Sequence, residues 1–142
     1  MILVEIKIDS RQAGVNTDDQ MRNMVELVES LVGKHFSQEM DRVDVTVTEY
    51  GPYDVYTRPL TIGITMDCFD VHQSAADEAH LGTDMARHRW IIRNAEAFQA
   101  DWRGVWEKIA DGNTTFNLWI KMLPSEGSAF LEGPIPIGSK GK

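Results

Sequence analysis

Three histidines, His72, His80 and His88, recur at intervals of eight and are interleaved with Asp67, Asp70, Asp77, Glu78 and Asp84. Imidazole nitrogens and carboxylate oxygens are ordinary ligands of divalent metals, so this stretch invites a metal reading. The spacing opposes it. Ligands on one helical face stand three or four residues apart, and no HExxH-type pattern occurs. We therefore read 68–83 as a polar, partly helical insertion that holds no metal and no other cofactor. Cys68 is the single cysteine, has no Cys-His signature beside it, and reads as a small buried hydrophobe. GxGxxG, P-loop and GxSxG sequences are absent from the chain, which removes the sequence basis for nucleotide binding or triad hydrolysis. Trp90, Phe98, Trp102 and Trp106 stand at helical spacing and read as core or subunit contacts.

The elements that position these residues follow from hydrophobic period. Ile2, Val4, Ile6 and Ile8 alternate with Leu3, Glu5 and Lys7, which predicts a half-buried strand. Residues 9–16 read as a loop containing Gly14. Thr17-Asp-Asp-Gln20 has the form of a capping box and opens a helix over about 18–32, carried by Met21, Met24, Val25, Val28, Leu31 and Val32, with Gly33 as its C-terminal stop. Val43, Val45 and Val47 predict a second strand, and Leu60, Ile62, Ile64 and Met66 a third, which starts after Pro59 where a missing N–H costs least. A long helix then runs from Thr83-Asp84 toward Gly112, with Gly104 as a point of bending or division. Phe116, Leu118, Ile120 and Met122 predict a fourth strand, stopped by Pro124. The order is βαββαβ. Helix-bearing connections allow each flanking strand pair to be parallel through a right-handed crossover, giving an α/β (α+β) domain of two βαβ units in one four-stranded sheet. We assign residues 1–124 to this single domain and 125–142 to a C-terminal arm whose Phe130, Leu131, Ile135 and Ile137 suit packing on a neighbouring subunit.

Composition narrows the partners. With 142 residues the chain is one domain of ordinary size. Lys+Arg 14 against Asp+Glu 22 gives −8, without a basic cluster that would mark a nucleic-acid or anionic-membrane surface. No apolar run reaches the roughly 18 residues of a spanning helix. The N-terminal strand carries Glu5 and Lys7 and has no basic leader, and there is one cysteine, so a cytoplasmic location is expected.

In element order, spacing and a few positions the chain resembles the tautomerase superfamily, the group that includes 4-oxalocrotonate tautomerase, 5-carboxymethyl-2-hydroxymuconate isomerase and macrophage migration inhibitory factor. The likeness rests on a first strand that begins at residue 1 and leads to Arg11, a helix ending in Gly33-Lys34, the strand Arg42-Val-Asp-Val-Thr-Val-Thr-Glu-Tyr50, and Pro59 before the third strand. It covers most of 1–67 and, more loosely, 84–124. The resemblance implies a homotrimer and a site for a small keto/enol carboxylic acid, with the N-terminal amine as catalytic base. Arg11 and Lys34 would bind the substrate carboxylate, and Asp67 and Cys68 would line the pocket. Family members carry an N-terminal proline, whereas this chain has Met1, and bulky Ile2 should prevent removal of that methionine. A primary α-amine titrates at about 7.7–8.0 and falls further beside a cation in an apolar pocket, so Met1 could still act as a neutral base or form an imine.

Two further readings stay beside this one. A protein of the same fold could have lost proton transfer and serve only to bind or to build structure. A βαββαβ order also fits a ferredoxin-like dimeric barrel that binds a hydrophobic ligand or acts as a small monooxygenase. In the tautomerase-like reading Met1 and Arg11 stand at opposite ends of one extended segment, roughly 30 Å apart at about 3.3 Å per residue, so a shared site needs Arg11 from a neighbouring chain.

Overall fold

The protein was analysed as a computed structural model, which describes residues 2–36, 43–67, 82–111 and 115–123. Strand β1 (Ile2–Ile8) is followed by a single-turn helix α1 (Ser10–Ala13), helix α2 (Asp18–His35), strands β2 (Val43–Glu49) and β3 (Leu60–Asp67), helix α3 (Thr83–Trp106) and strand β4 (Phe116–Leu123). The sheet order is β2-β1-β3-β4. β1 runs parallel to β2 and antiparallel to β3, and β3 runs parallel to β4. Each βαβ unit therefore keeps its two strands adjacent, and the units join back to back through β1 and β3. This order excludes the ferredoxin-like alternative, in which the parallel strands of each unit are split by another strand between them.

Period-2 alternation sorts the sheet into two faces. Ile2, Val4, Ile6 and Ile8 of β1 and Leu60, Ile62, Ile64 and Met66 of β3 are buried. They join one core with Met24, Val28, Leu31 and Val32 of α2 and with Ala86, Trp90, Phe98, Trp102 and Trp106 of α3. Both long helices thus cover the same face. The opposite face carries Glu5, Lys7, Thr46, Thr48, Asn117, Trp119 and Lys121, all exposed, and no helix among the described residues covers it.

Several boundaries differ from the sequence expectation. Residues 9–16 are not a plain loop: the Asp9 side chain accepts from the Gln12 amide and caps α1, and Gly14 ends it at φ 75°. A side chain at Gly14 would also meet the Asp111 carbonyl, 2.9 Å from the Cβ position. The capping box at Thr17 forms as expected, with both reciprocal bonds to Gln20. Helix α2, however, passes through Gly33 and ends at His35. Burial of Leu31, Val32 and Phe36 holds the last turn against the core, and this outweighs the roughly 1 kcal/mol that a helical glycine costs. Helix α3 runs unbroken through the exposed Gly104 and stops at Trp106, after which residues 107–109 form a turn. The proposed insertion 68–83, apart from Gly82 and Thr83 at the start of α3, and the C-terminal arm lie outside the described residues.

Candidate functional site

The register fixes which expected site residues can meet. Ile2 stands opposite both Val43 and Met66, so the start of β1, the start of β2 and the end of β3 share one edge of the domain. Asp67, half-buried at the end of β3, lies at that edge. Lys34 lies in the last turn of α2, and its bond to Asp101 of α3, not the strand register, fixes its place. Met1 and Cys68 lie outside the described residues. Arg11 is exposed in the single turn beyond Ile8, at the opposite edge. The separation along the sheet is smaller than a fully extended chain would give. The seven-residue β1 spans about 20 Å at roughly 3.3 Å per residue, and Ser10–Ala13 coils instead of extending further.

Lys34 is engaged within the chain. Its Nζ donates to Asp101 Oδ2 at 2.8 Å, and His35 Nε2 lies 2.7 Å from the same oxygen. The hydrogen bond from Lys34, then that with His35, holds the Asp101 carboxyl below the usual carboxylate range, with the charge of Lys34 and, when protonated, of His35 adding to the effect. His35 is 11% exposed while Lys34 is 63% exposed, and the His35 ring meets the Phe98 ring edge-on at 6.5 Å. An acid-imidazole pair can hold or pass a proton, although among the described residues no hydroxyl or thiol is bonded to His35. Sequence inspection missed this cluster because Asp101 is 66 positions from His35, and no local spacing signals such a pair.

A second polar cluster forms where the parallel strands β1 and β2 end. Tyr56 Oη donates to the Asp9 carboxylate, which lowers the Asp9 pKa, helped by the Gln12 amide and, last, by the charge of Arg11. The same bond raises the Tyr56 phenol above its ordinary value. Tyr56 stacks on Tyr50 at 4.1 Å, and the Tyr50 hydroxyl lies 2.8 Å from Thr61 Oγ1. Ser10 Oγ donates to Glu49. These bonds tie the loop between β2 and β3 to the end of β1, and they leave Arg11 beside an in-chain carboxylate, Asp9.

The third feature is a cavity of about 370 Å³ between the second half of α3 and the start of β4, lined by Trp102, Trp106, Phe116, Gln99, Arg103, Glu107 and Thr115. Among the described residues there is no group of three or more His, Cys, Asp or Glu side chains able to hold a metal ion, and no helix is long and apolar enough to cross a membrane.

No family model matches the chain, and no curated protein matches it. Among solved structures, one described as "Crystal Structure of Native Ps01740" aligns over 90% of this chain and 99% of that chain, at 14% identity and a TM-score of 0.45.

Proposed function

We propose that the protein binds a small keto/enol carboxylic acid in the manner of the tautomerase superfamily, as a cytoplasmic homotrimer without a cofactor. The observation that supports this reading is the back-to-back pair of βαβ units, in which β1 is central and starts at one edge of the sheet. An amine preceding Ile2 would then stand at the end of an interior strand, beside Asp67. In this reading Met1 supplies the base and Arg11 of a neighbouring copy supplies the carboxylate anchor, because the start of β1 and Arg11 lie at opposite edges of one subunit. A guanidinium fork suits that task through two parallel hydrogen bonds.

A specific observation favours binding without turnover. Met1 takes the place of the secondary amine that tautomerase relatives use as base, while Lys34 is paired with Asp101 and Arg11 lies beside Asp9, so an incoming carboxylate competes with an in-chain one at each cation. Calorimetry with a small dicarboxylate, run beside an ultraviolet ketonisation assay on phenylenolpyruvate, tests both readings. Binding with weak turnover is the expected result. Turnover comparable to proline-bearing relatives would refute the inactive reading, and the absence of dicarboxylate binding would refute the functional proposal itself.

A further inference from the structure

The cavity beside α3 has the composition of a ligand site and lies away from the edge that holds the start of β1. Phe116 in its wall pairs with Leu60, which pairs with Ile8, so it belongs to the far edge of the sheet. Its apolar wall is aromatic. Trp102 and Trp106 stack at 4.6 Å and 20°, and Phe116 lies 4.9 Å from Trp102. Both indoles are 2% exposed, and both Nε1–H groups are buried without a hydrogen-bond partner among the described residues. A buried donor with no acceptor is costly, so such groups are few in native folds.

The rim supplies positive charge. Arg103 is exposed on α3 and lines the cavity, while Arg58, just before β3, donates to the lining residue Thr115 at 3.1 Å. Glu107 is the opposing charge on the rim, so Arg103 is the guanidinium that lines it. A volume of about 370 Å³ falls in the range of small-molecule sites, which combine apolar walls with a few convergent polar groups.

We propose that this cavity binds a planar aromatic carboxylate, its ring packed against the wall formed by Trp102, Trp106 and Phe116 and its carboxylate held by Arg103 at the rim. Both indoles belong to the cavity wall, so the ring current of a bound aromatic ring shifts their N–H proton resonances. The chain has four tryptophans, and their indole N–H signals separate in a nitrogen-proton correlation spectrum, with Trp102→Phe and Trp106→Phe providing the assignments. Titration of the full chain with naphthoate should move the Trp102 and Trp106 signals and leave those of Trp90 and Trp119 in place. The neutral isostere naphthylmethanol should bind at least about tenfold more weakly, the scale of one charge-assisted hydrogen bond. Arg103→Gln, an exposed substitution, should erase that preference while the thermal midpoint holds. Unmoved Trp102 and Trp106 signals at millimolar naphthoate would overturn the site. Equal affinity for acid and alcohol, or a preference that survives Arg103→Gln, would overturn the carboxylate recognition.

Discussion

Trp119 lies across Gly63, its cross-strand partner on the open face of the sheet, so closely that a Cβ at position 63 would stand 2.1 Å from the indole Cζ2. Gly63 is buried although it faces away from the helices, and the ring that covers it is itself 41% exposed. Glycine in a strand interior ordinarily weakens pairing. Here the missing side chain is the space the indole fills.

Gly63→Ala should therefore destabilise the fold by about 1–3 kcal/mol, the scale of overpacking, because the methyl group and the ring cannot both keep their places. Trp119→Ala introduced with it should relieve most of that loss. Urea denaturation of the two single variants and the double variant measures the coupling. Additive effects would show that the ring moves aside at little cost.

The strands were the most legible part of the sequence, since alternation in Ile2–Ile8 and Leu60–Asp67 reflects a sheet with one face on a core. The capping box at Thr17 was legible because its chemistry is local. The end of α2 was not, because packing of Phe36 against Trp90 and Phe98 overrides the local preference of Gly33. Strand order was open between adjacent and split βαβ units, a choice made by tertiary pairing and not by any one segment. The clusters around Asp101 and Asp9 were invisible for a related reason: Tyr56 lies 47 positions from Asp9 and His35 66 from Asp101, and no short motif spans such distances.

Asp101 should make stability depend on acid. Its folded pKa is depressed by Lys34 and His35, so its contribution is fully present above the unfolded carboxylate value of about 4 and is lost as pH falls through the folded value. Asp101→Asn should lower stability near neutrality and flatten the acid limb of a denaturation profile. The effect is modest, because Lys34 is largely solvated and an exposed ion pair contributes little. An acid limb identical to that of the wild type would show that the cluster does not stabilise the fold.

Tyr56 carries the opposite sign. Its phenol is raised above its ordinary value by donating to Asp9, so the stabilisation is complete below the unfolded tyrosine value of about 10 and disappears as pH rises through the folded one. In a phenolate absorbance titration the chain, which has three tyrosines, should show one late-ionising component. Tyr56→Phe should remove that component and leave the others. A titration in which all components remain would place the raised phenol elsewhere.

Phe98 is fully buried and meets His35, Phe36, Trp102 and Phe116, which makes it the hinge pin of the contact between α2, α3 and β4. Phe98→Ala should cost about 3–5 kcal/mol in chemical denaturation, from lost transfer energy and the cavity left behind. Met85→Ala, on an exposed part of the same helix, should stay within about 0.5 kcal/mol. Similar losses for the two would mean that α3 is not anchored through its aromatic face.

Assembly is the condition on which the proposed carboxylate site depends, because Arg11 lies at the edge of the subunit opposite to the start of β1. The sheet face that no described helix covers offers a surface for it: Thr46 and Thr48 are small polar residues flanking Glu5 and Lys7 on the neighbouring strand, and Trp119 adds a large half-exposed ring. Light scattering on the full chain should give three times the 16.0 kDa of the monomer. Glu5→Arg, which places like charge beside Lys7 on that face, should shift the distribution toward monomer and weaken dicarboxylate binding with it. Arg11→Ala should instead leave the mass unchanged and reduce binding by roughly ten- to a hundredfold, the range of one charge-assisted contact. A monomer that still binds the dicarboxylate would separate the site from the assembly and remove the reason for drawing Arg11 from a neighbouring chain.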